Sequence, residues 1–234
     1  MLKLIKLEWK KNNIIKYIRN AVILAVLLCL FIYALAFLGI ANDPDGTLDA
    51  AEGMNTISVP IELFTSMSFL IFTSVMLASF IVSAYKNKTM NLMFSYPIKR
   101  QKILASQMTA VWLFNFAALV ITKLFLYASV SIGSRGMQSP FLIDFDMGDL
   151  SFYVQLLMKA VVTVSMSFIA LFVGMYMKSS KATIIASFIL IFLTQANIGD
   201  YSLADNRVFP IALTVISFIF AVLSIYNAET RDLL

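Results

Sequence analysis

The chain contains no histidine at all. That absence removes serine–histidine triads and dyads and the paired histidines of HExxH zinc sites, since each needs an imidazole as base or ligand. Cysteine is almost as scarce. Cys29 stands alone, so no disulfide closes within the chain and no thiolate cage holds a metal; in its apolar run it reads as a small core hydrophobe. None of the eight glycines opens a GxxxxGK[ST] loop, so the chain offers no P-loop cradle for a nucleotide. Charge is the last deficit. Only 13% of the 234 residues are charged while 60% are hydrophobic, and mean hydropathy is +0.86; ordinary soluble domains run at about 25% charged and about 45–50% apolar. Too few polar side chains remain to make a wetted surface, and the solvent for this core is lipid.

What is present is a series of long, nearly uncharged runs. A bilayer core of about 30 Å takes about 20 helical residues at ~1.5 Å each, and runs of that kind fall at 21–40, 63–84, 108–132, 152–177, 182–198 and 208–228. Lipid supplies no hydrogen bonds to the backbone, so runs without strand-like alternation must be helices. The expectation is an all-α membrane protein, one permease-sized domain over 1–234 with six spans, the fifth being the shortest and either less tilted or partly re-entrant. The run at 21–40 is longer than a cleavable signal core and follows six basic residues, so it reads as a retained helix.

Basic residues in short loops set orientation. With the N-terminus inside, the inner face collects Lys3, Lys6, Lys10, Lys11, Lys16, Arg19, Lys86, Lys88, Lys99, Arg100, Lys102, Lys178, Lys181 and Arg231, against Arg135 and Arg207 outside. Fourteen against two places both termini in the cytoplasm of a bacterial inner membrane. The outer loops carry Asp43, Asp45, Asp49, Glu52, Asp144, Asp146, Asp149, Asp200 and Asp205. Carboxylate clusters suit a hard divalent cation, but solvated loops are the plainer account of these. A pI of about 9.3 reflects this topology and contact with anionic lipid, and nothing suggests nucleic acid. Residues 1–20 predict an interfacial helix. Leu2, Ile5 and Trp9 share one arc of the wheel and Lys3, Lys6 and Lys10 another, the pattern of a helix lying in the headgroup plane with its lysines towards anionic lipid or a partner.

The one sizeable inner loop, 85–107, joins spans two and three. Its middle is apolar (Met90, Leu92, Met93, Phe94, Tyr96), its flanks are basic, and Pro97 stops any helix there. A short apolar-faced helix held outside the membrane calls for a surface to bury against, either a protein partner or the lipid headgroups.

This loop resembles the one in type-2 ABC exporter permeases, where Gly-Thr-Leu-Glu, about six residues, and then Pro-Ile/Val-Ser-Arg follow the second span and dock into an ATPase. Thr89, Met90, Leu92, Pro97, Ile98 and Arg100 match that pattern, with the same Thr-to-Pro spacing; Lys88 replaces the glycine, Asn91 the glutamate and Lys99 the serine, and Gln107 stands where a lysine is frequent. The resemblance covers the whole chain in layout and Lys86 to Lys102 in residues. It implies a permease without enzymatic activity of its own, paired with a second copy or a paralogue, above two ATPase subunits that carry the ATP and Mg. It implies that Lys88, Thr89, Met90, Leu92, Met93, Phe94, Pro97 and Arg100 couple to that ATPase through a short helix. The MLKLxKxEWxK-like start is similar to small permeases of peptide-antibiotic export and self-immunity, so the implied substrate is amphipathic: a peptide, antibiotic or lipid-like molecule. A stand-alone membrane protein that sequesters such a peptide without an ATPase is the alternative.

Polar residues within the spans complete the expectations. Thr183, Ser187, Thr194 and Asn197 fall within an arc of roughly 80° on span five. In the resembling family spans two and five wall the passage, which would bring Ser66 and Thr73 opposite; interhelical packing is the other reading, as for the small residues Ala170 and Gly174. Glu62, Lys123 and Lys159 lie in the outer halves of spans two to four, where a buried charge costs about 2.5–3.5 kcal/mol on insertion scales. Both lysines sit near the end of an uncharged run, so snorkelling to the headgroups is the simpler account, with a Glu62–lysine bridge in an outer vestibule as the alternative.

Overall fold

The computed structural model describes residues 2–37, 57–86, 100–136, 145–194, 197–198, 201–202 and 208–230. Its helices are α1 (Leu2–Lys11), α2 (Ile14–Phe37), α3 (Ser58–Leu77), α4 (Ser83–Lys86), α5 (Arg100–Gly136), α6 (Leu150–Tyr176), α7 (Ser180–Thr194) and α8 (Val208–Thr230). A π-helical segment, Ala78–Val82, joins α3 to α4. Two-residue strands β1 (Asn197–Ile198) and β2 (Tyr201–Ser202) pair antiparallel between α7 and α8. Among the described residues the chain is thus all-α but for this pair.

Among the described residues, four stretches are long and apolar enough to cross a membrane: Ile14–Ala36, Ser58–Val82, Gln101–Gly133 and Leu150–Tyr176. The apolar stretches Ser180–Thr194 and Ile211–Tyr226 are shorter. With 15 residues, α7 spans only about 22 Å, less than the ~30 Å of a hydrocarbon core. The fifth apolar run therefore ends at Thr194, and Asn197 and Ile198, expected to continue it, belong to a strand.

Two other boundaries differ from the sequence pattern. The expected twenty-residue interfacial helix stops at Lys11, and residues 14–20 begin α2. The cause is local: Asn13 takes a left-handed backbone (φ 49°), which asparagine tolerates better than most residues, and the Asn12 side chain donates to the Glu8 carbonyl at 3.1 Å. Residues 100–107, expected in the inner loop, form the first two turns of α5. Residues 85–86 of that loop end α4, and residues 87–99, with Lys88, Thr89, Met90, Leu92, Met93, Phe94 and Pro97, lie outside the described residues, as do the outer-loop carboxylates other than Asp146 and Asp149.

The contacts divide the chain into two compact units. The first takes Met1–Ile14, Phe69–Phe116 and Lys159–Leu234, the second Ile15–Ser68 and Ala117–Met158, so α3, α5 and α6 contribute to both. In the first unit Phe69, Met76, Leu77, Ile81, Leu104, Val111, Val164 and Leu171 are buried. Aromatic pairs Phe168/Phe218 and Phe172/Phe220 join α6 to α8 with ring centres 6.3 and 5.0 Å apart. In the π segment the Ser83 amide reaches back to the Ala78 carbonyl, and Ala78, Phe80, Ile81 and Val82 are buried; α7 packs against this segment. Such one-turn widenings of a helix are frequent at functional sites.

In the second unit, Leu28 and Ile32 of α2, Ile61 of α3, Leu126, Tyr127 and Val130 of α5 and Leu156 of α6 form one buried cluster. Tyr33 donates to the Ser129 carbonyl at 2.7 Å and lies against Gly133, where any Cβ would strike its hydroxyl. By contrast, Val22, Ile23, Val26, Leu27 and Leu30 of α2 are exposed. In a soluble protein such a face would be a liability; in a bilayer it meets acyl chains.

The link between α6 and α7 is only Met177, Lys178 and Ser179. Lys178 is left-handed (φ 48°), and the Ser179 amide bonds the Gly174 carbonyl at 3.1 Å. The tight turn presses the two helices together, and a Cβ on Gly174 would collide with Thr183 Oγ1. Gly174→Ala should therefore destabilise the protein by about 1–3 kcal/mol through overpacking, read by thermal denaturation in detergent. Adding Thr183→Ala should recover part of the loss, because it removes the nearest of the colliding atoms.

Candidate functional site

Three polar groupings follow from the helices, the first two each within one unit. The first joins α3 to α5. Lys123 Nζ donates to Glu62 Oε2 at 2.6 Å, and Tyr127 Oη donates to Glu62 Oε1 at 3.3 Å. Lys123 and Tyr127 are four residues apart on α5, hence on one face. The lysine side chain is wholly enclosed, whereas Glu62 remains 18% exposed. Lys123 therefore does not snorkel: it pairs inside the protein, and the simpler sequence expectation fails here. Lys159, one helix further on, is exposed. The sequence pointed to Glu62 and Lys123 but missed Tyr127, whose signal was its i+4 spacing from the lysine.

Aromatic rings extend this grouping. The Tyr127 ring meets Phe145 and Phe152 edge-on, with centres 4.8 and 4.9 Å away. Beyond Phe145 the chain turns into α6 with Asp146 accepting from the Gly148 amide at 2.8 Å. Asp149 accepts from the Ser151 amide at 3.1 Å, which makes it the N-cap of α6. The Ser151 hydroxyl and then its amide hold the Asp149 carboxyl below its ordinary range. Its capping contribution is therefore present above the usual carboxylate pKa and fades as pH falls through the lowered one.

The second grouping fastens α1 to the start of α5. Trp9 Nε1 donates to the Ala110 carbonyl at 3.0 Å, and Gln107 Nε2 donates to Glu8 Oε1 at 3.3 Å. Ile5 and Glu8 are buried, while Lys3, Lys6, Lys10 and Lys11 are exposed, so the helix turns its basic face outward. Glu8 was overlooked in the sequence although it is the only acid among the first twenty residues.

The third consists of small polar residues between apolar faces. Thr73 is buried and donates to the Phe69 carbonyl at 2.6 Å. On α7, Ser187 is buried and donates to the Ile184 carbonyl at 2.7 Å, and half-buried Thr194 donates to Ile191 at 2.9 Å. Thr183 is fully buried, and its hydroxyl has no hydrogen-bond partner among the described residues. Ser66 is half-buried on α3. Ser66 falls in the second unit and the other four in the first. Asn115 of α5, not singled out by the sequence, is buried and donates to Met76 Sδ at 3.3 Å and the Val111 carbonyl at 2.9 Å. Trp112 donates to Ser165 Oγ at 3.2 Å.

No family model matches the chain, and no solved structure resembles it. Among curated proteins it is similar to one described as the uncharacterized protein YcbO of Bacillus subtilis, 25% identical over 237 residues that cover 99% of this chain and all of that protein. The likeness is therefore one of whole chains.

The Glu62–Lys123 pair makes a direct prediction. Removing one member of a buried pair strands the other charge and costs about 3–5 kcal/mol, whereas replacing both by neutral residues is close to harmless. Lys123→Met should sharply lower membrane abundance and melting temperature. Glu62→Gln added to Lys123→Met should restore both.

Proposed function

We propose that this chain is the membrane subunit of an ATP-driven type-2 ABC exporter, with six helices in the inner membrane, both termini cytoplasmic, and a second copy or paralogue beside it. It moves an amphipathic substrate such as a peptide. The observation that carries the reading is the segment Lys86 to Lys102. Its Thr89, Met90, Leu92, Pro97, Ile98 and Arg100 reproduce the family's coupling pattern, and it takes in the connection between α4, which ends at Lys86, and α5, which begins at Arg100. ATP and Mg belong to two separate ATPase subunits.

Two further features support this assignment. The α1 helix is tied by Trp9 and Gln107 to the first turns of α5, next along the chain to the coupling segment, so a push on that segment meets a braced helix. The π segment Ala78–Val82 lies on the other side of it and is a point at which a helix changes register. Closure of the ATPase pair would act through the loop as a rigid-body displacement of a two-state element. Ser66, Thr73, Thr183, Ser187, Thr194 and Asn197 remain the candidate lining of the path. Sequestration of a membrane-active peptide without an ATPase is the competing reading.

Orientation is checked by thiol labelling. In a Cys29→Ser background, cysteines at Ser139 and Ser202 should react with an impermeant reagent from outside, and cysteines at Ser95 and Ser180 only after the cell is opened. Labelling of position 95 in intact cells would reverse the orientation and end the docking argument.

The function itself is checked by affinity purification from native membranes, where a chain with Walker motifs should accompany the protein. Burying a Leu or Phe side chain is worth about 1.5–3 kcal/mol, so Leu92→Asp or Phe94→Asp should release the ATPase at unchanged membrane abundance. A protein that purifies without any ATPase favours sequestration.

A further inference from the structure

Stability alone does not account for the Glu62–Lys123–Tyr127 grouping, because a buried ion pair is commonly no more stabilising than apolar residues of the same shape. Its exposure is unequal. Lys123 is wholly enclosed and Glu62 is not, so a molecule reaching the pair meets the carboxylate and never the ammonium. An ionised carboxylate has room for about four hydrogen bonds; the lysine on Oε2 and the tyrosine on Oε1 leave acceptor capacity on the exposed side. The same Tyr127 ring packs with Phe145 and Phe152, both half-buried, and the negative faces of such rings attract cations.

We infer that Glu62, held by Lys123 and Tyr127, is a binding site for the ammonium or guanidinium group of a cationic amphipathic molecule. The inference deepens the permease reading by naming a substrate class. It is tested on this chain alone, so its failure leaves the ATPase co-purification experiment standing, and the reverse also holds.

The full-length protein is placed in phosphatidylcholine nanodiscs and titrated with an amphipathic peptide whose polar face carries lysines, and with the same peptide carrying glutamines, the heats of empty discs being subtracted. Native protein should bind the lysine peptide about tenfold more tightly, the size of one good charge-assisted contact. In the double variant Glu62→Gln/Lys123→Met, which leaves no stranded charge, the preference should fall to near parity while the protein keeps its elution volume and melting temperature. An unchanged preference in that variant overturns the assignment, as does equal binding of the two peptides by the native protein. The competing source of a cation preference is the exposed pair Asp146 and Asp149, and a second variant, Asp146→Asn/Asp149→Asn, preserves the turn and cap because asparagine makes the same bonds. That variant should retain the lysine preference in about 0.5 M sodium chloride, where exposed charges are largely screened. Its loss there would assign the preference to the loop and overturn the site, whether or not the double variant folds.

Discussion

A solvent that neither gives nor accepts hydrogen bonds governs this protein at every scale. Backbone groups must pair within their own helix, and the small hydroxyl residues obey the same demand. Thr73 returns its proton to Phe69, Ser106 to Ile103, Thr163 to Lys159, Ser167 to Val164, Ser217 to Leu213 and Ser224 to Phe220. A hydroxyl that bonds the carbonyl three or four residues back is neutralised without help from a neighbour. Eight of the sixteen polar or charged residues buried among the described ones are kept in this way, and at those positions the helices meet through shape. Gly174 against Thr183 and Gly133 against Tyr33 are two places where that shape leaves no room for even a methyl group.

The exceptions are concentrated. Ser74 Oγ, Gln107 Oε1, Asn115 Oδ1 and Thr183 Oγ1 are buried without a hydrogen-bond partner among the described residues, and all four belong to the unit that also holds the π segment Ala78–Val82. An unsatisfied buried polar atom carries a desolvation penalty of about 1–3 kcal/mol. That penalty is relieved by any rearrangement that brings a partner or water to it.

Composition made the lipid environment and the helical class legible, because 13% charge leaves no other solvent. What was hard to read were the ends of helices, and one error shows how much depends on them. Taking the third run to begin at Met108 put Lys123 near the end of a span, where snorkelling is easy. With the helix spanning Arg100–Gly136, the lysine lies well inside, beyond reach of either end, and must be paired within the protein. The same uncharged stretch supports both readings, since hydropathy does not register a basic helical extension such as Arg100-Gln-Lys102. At the N-terminus the signal was present and outweighed: Asn12 and Asn13 mark the break between α1 and α2, but the amphipathic pattern ran on past them. Shortness of the fifth run was visible in its residue count, and the strand pair that closes it was not.

The Glu62–Lys123 contact shows what an ion pair contributes that apolar packing does not. Two helices joined by Leu, Ile and Phe faces lose little when one slides by a turn, because the ridges of one find new grooves in the other and lipid takes up whatever is uncovered. A lysine with no exposed surface has no such freedom: away from one carboxylate it becomes an isolated charge in hydrocarbon, and the cost is several kilocalories per mole. The pair therefore fixes the register of α3 on α5, and Tyr127 on the next turn fixes it twice. Apolar faces decide that the two helices meet, and the ion pair decides at which turn.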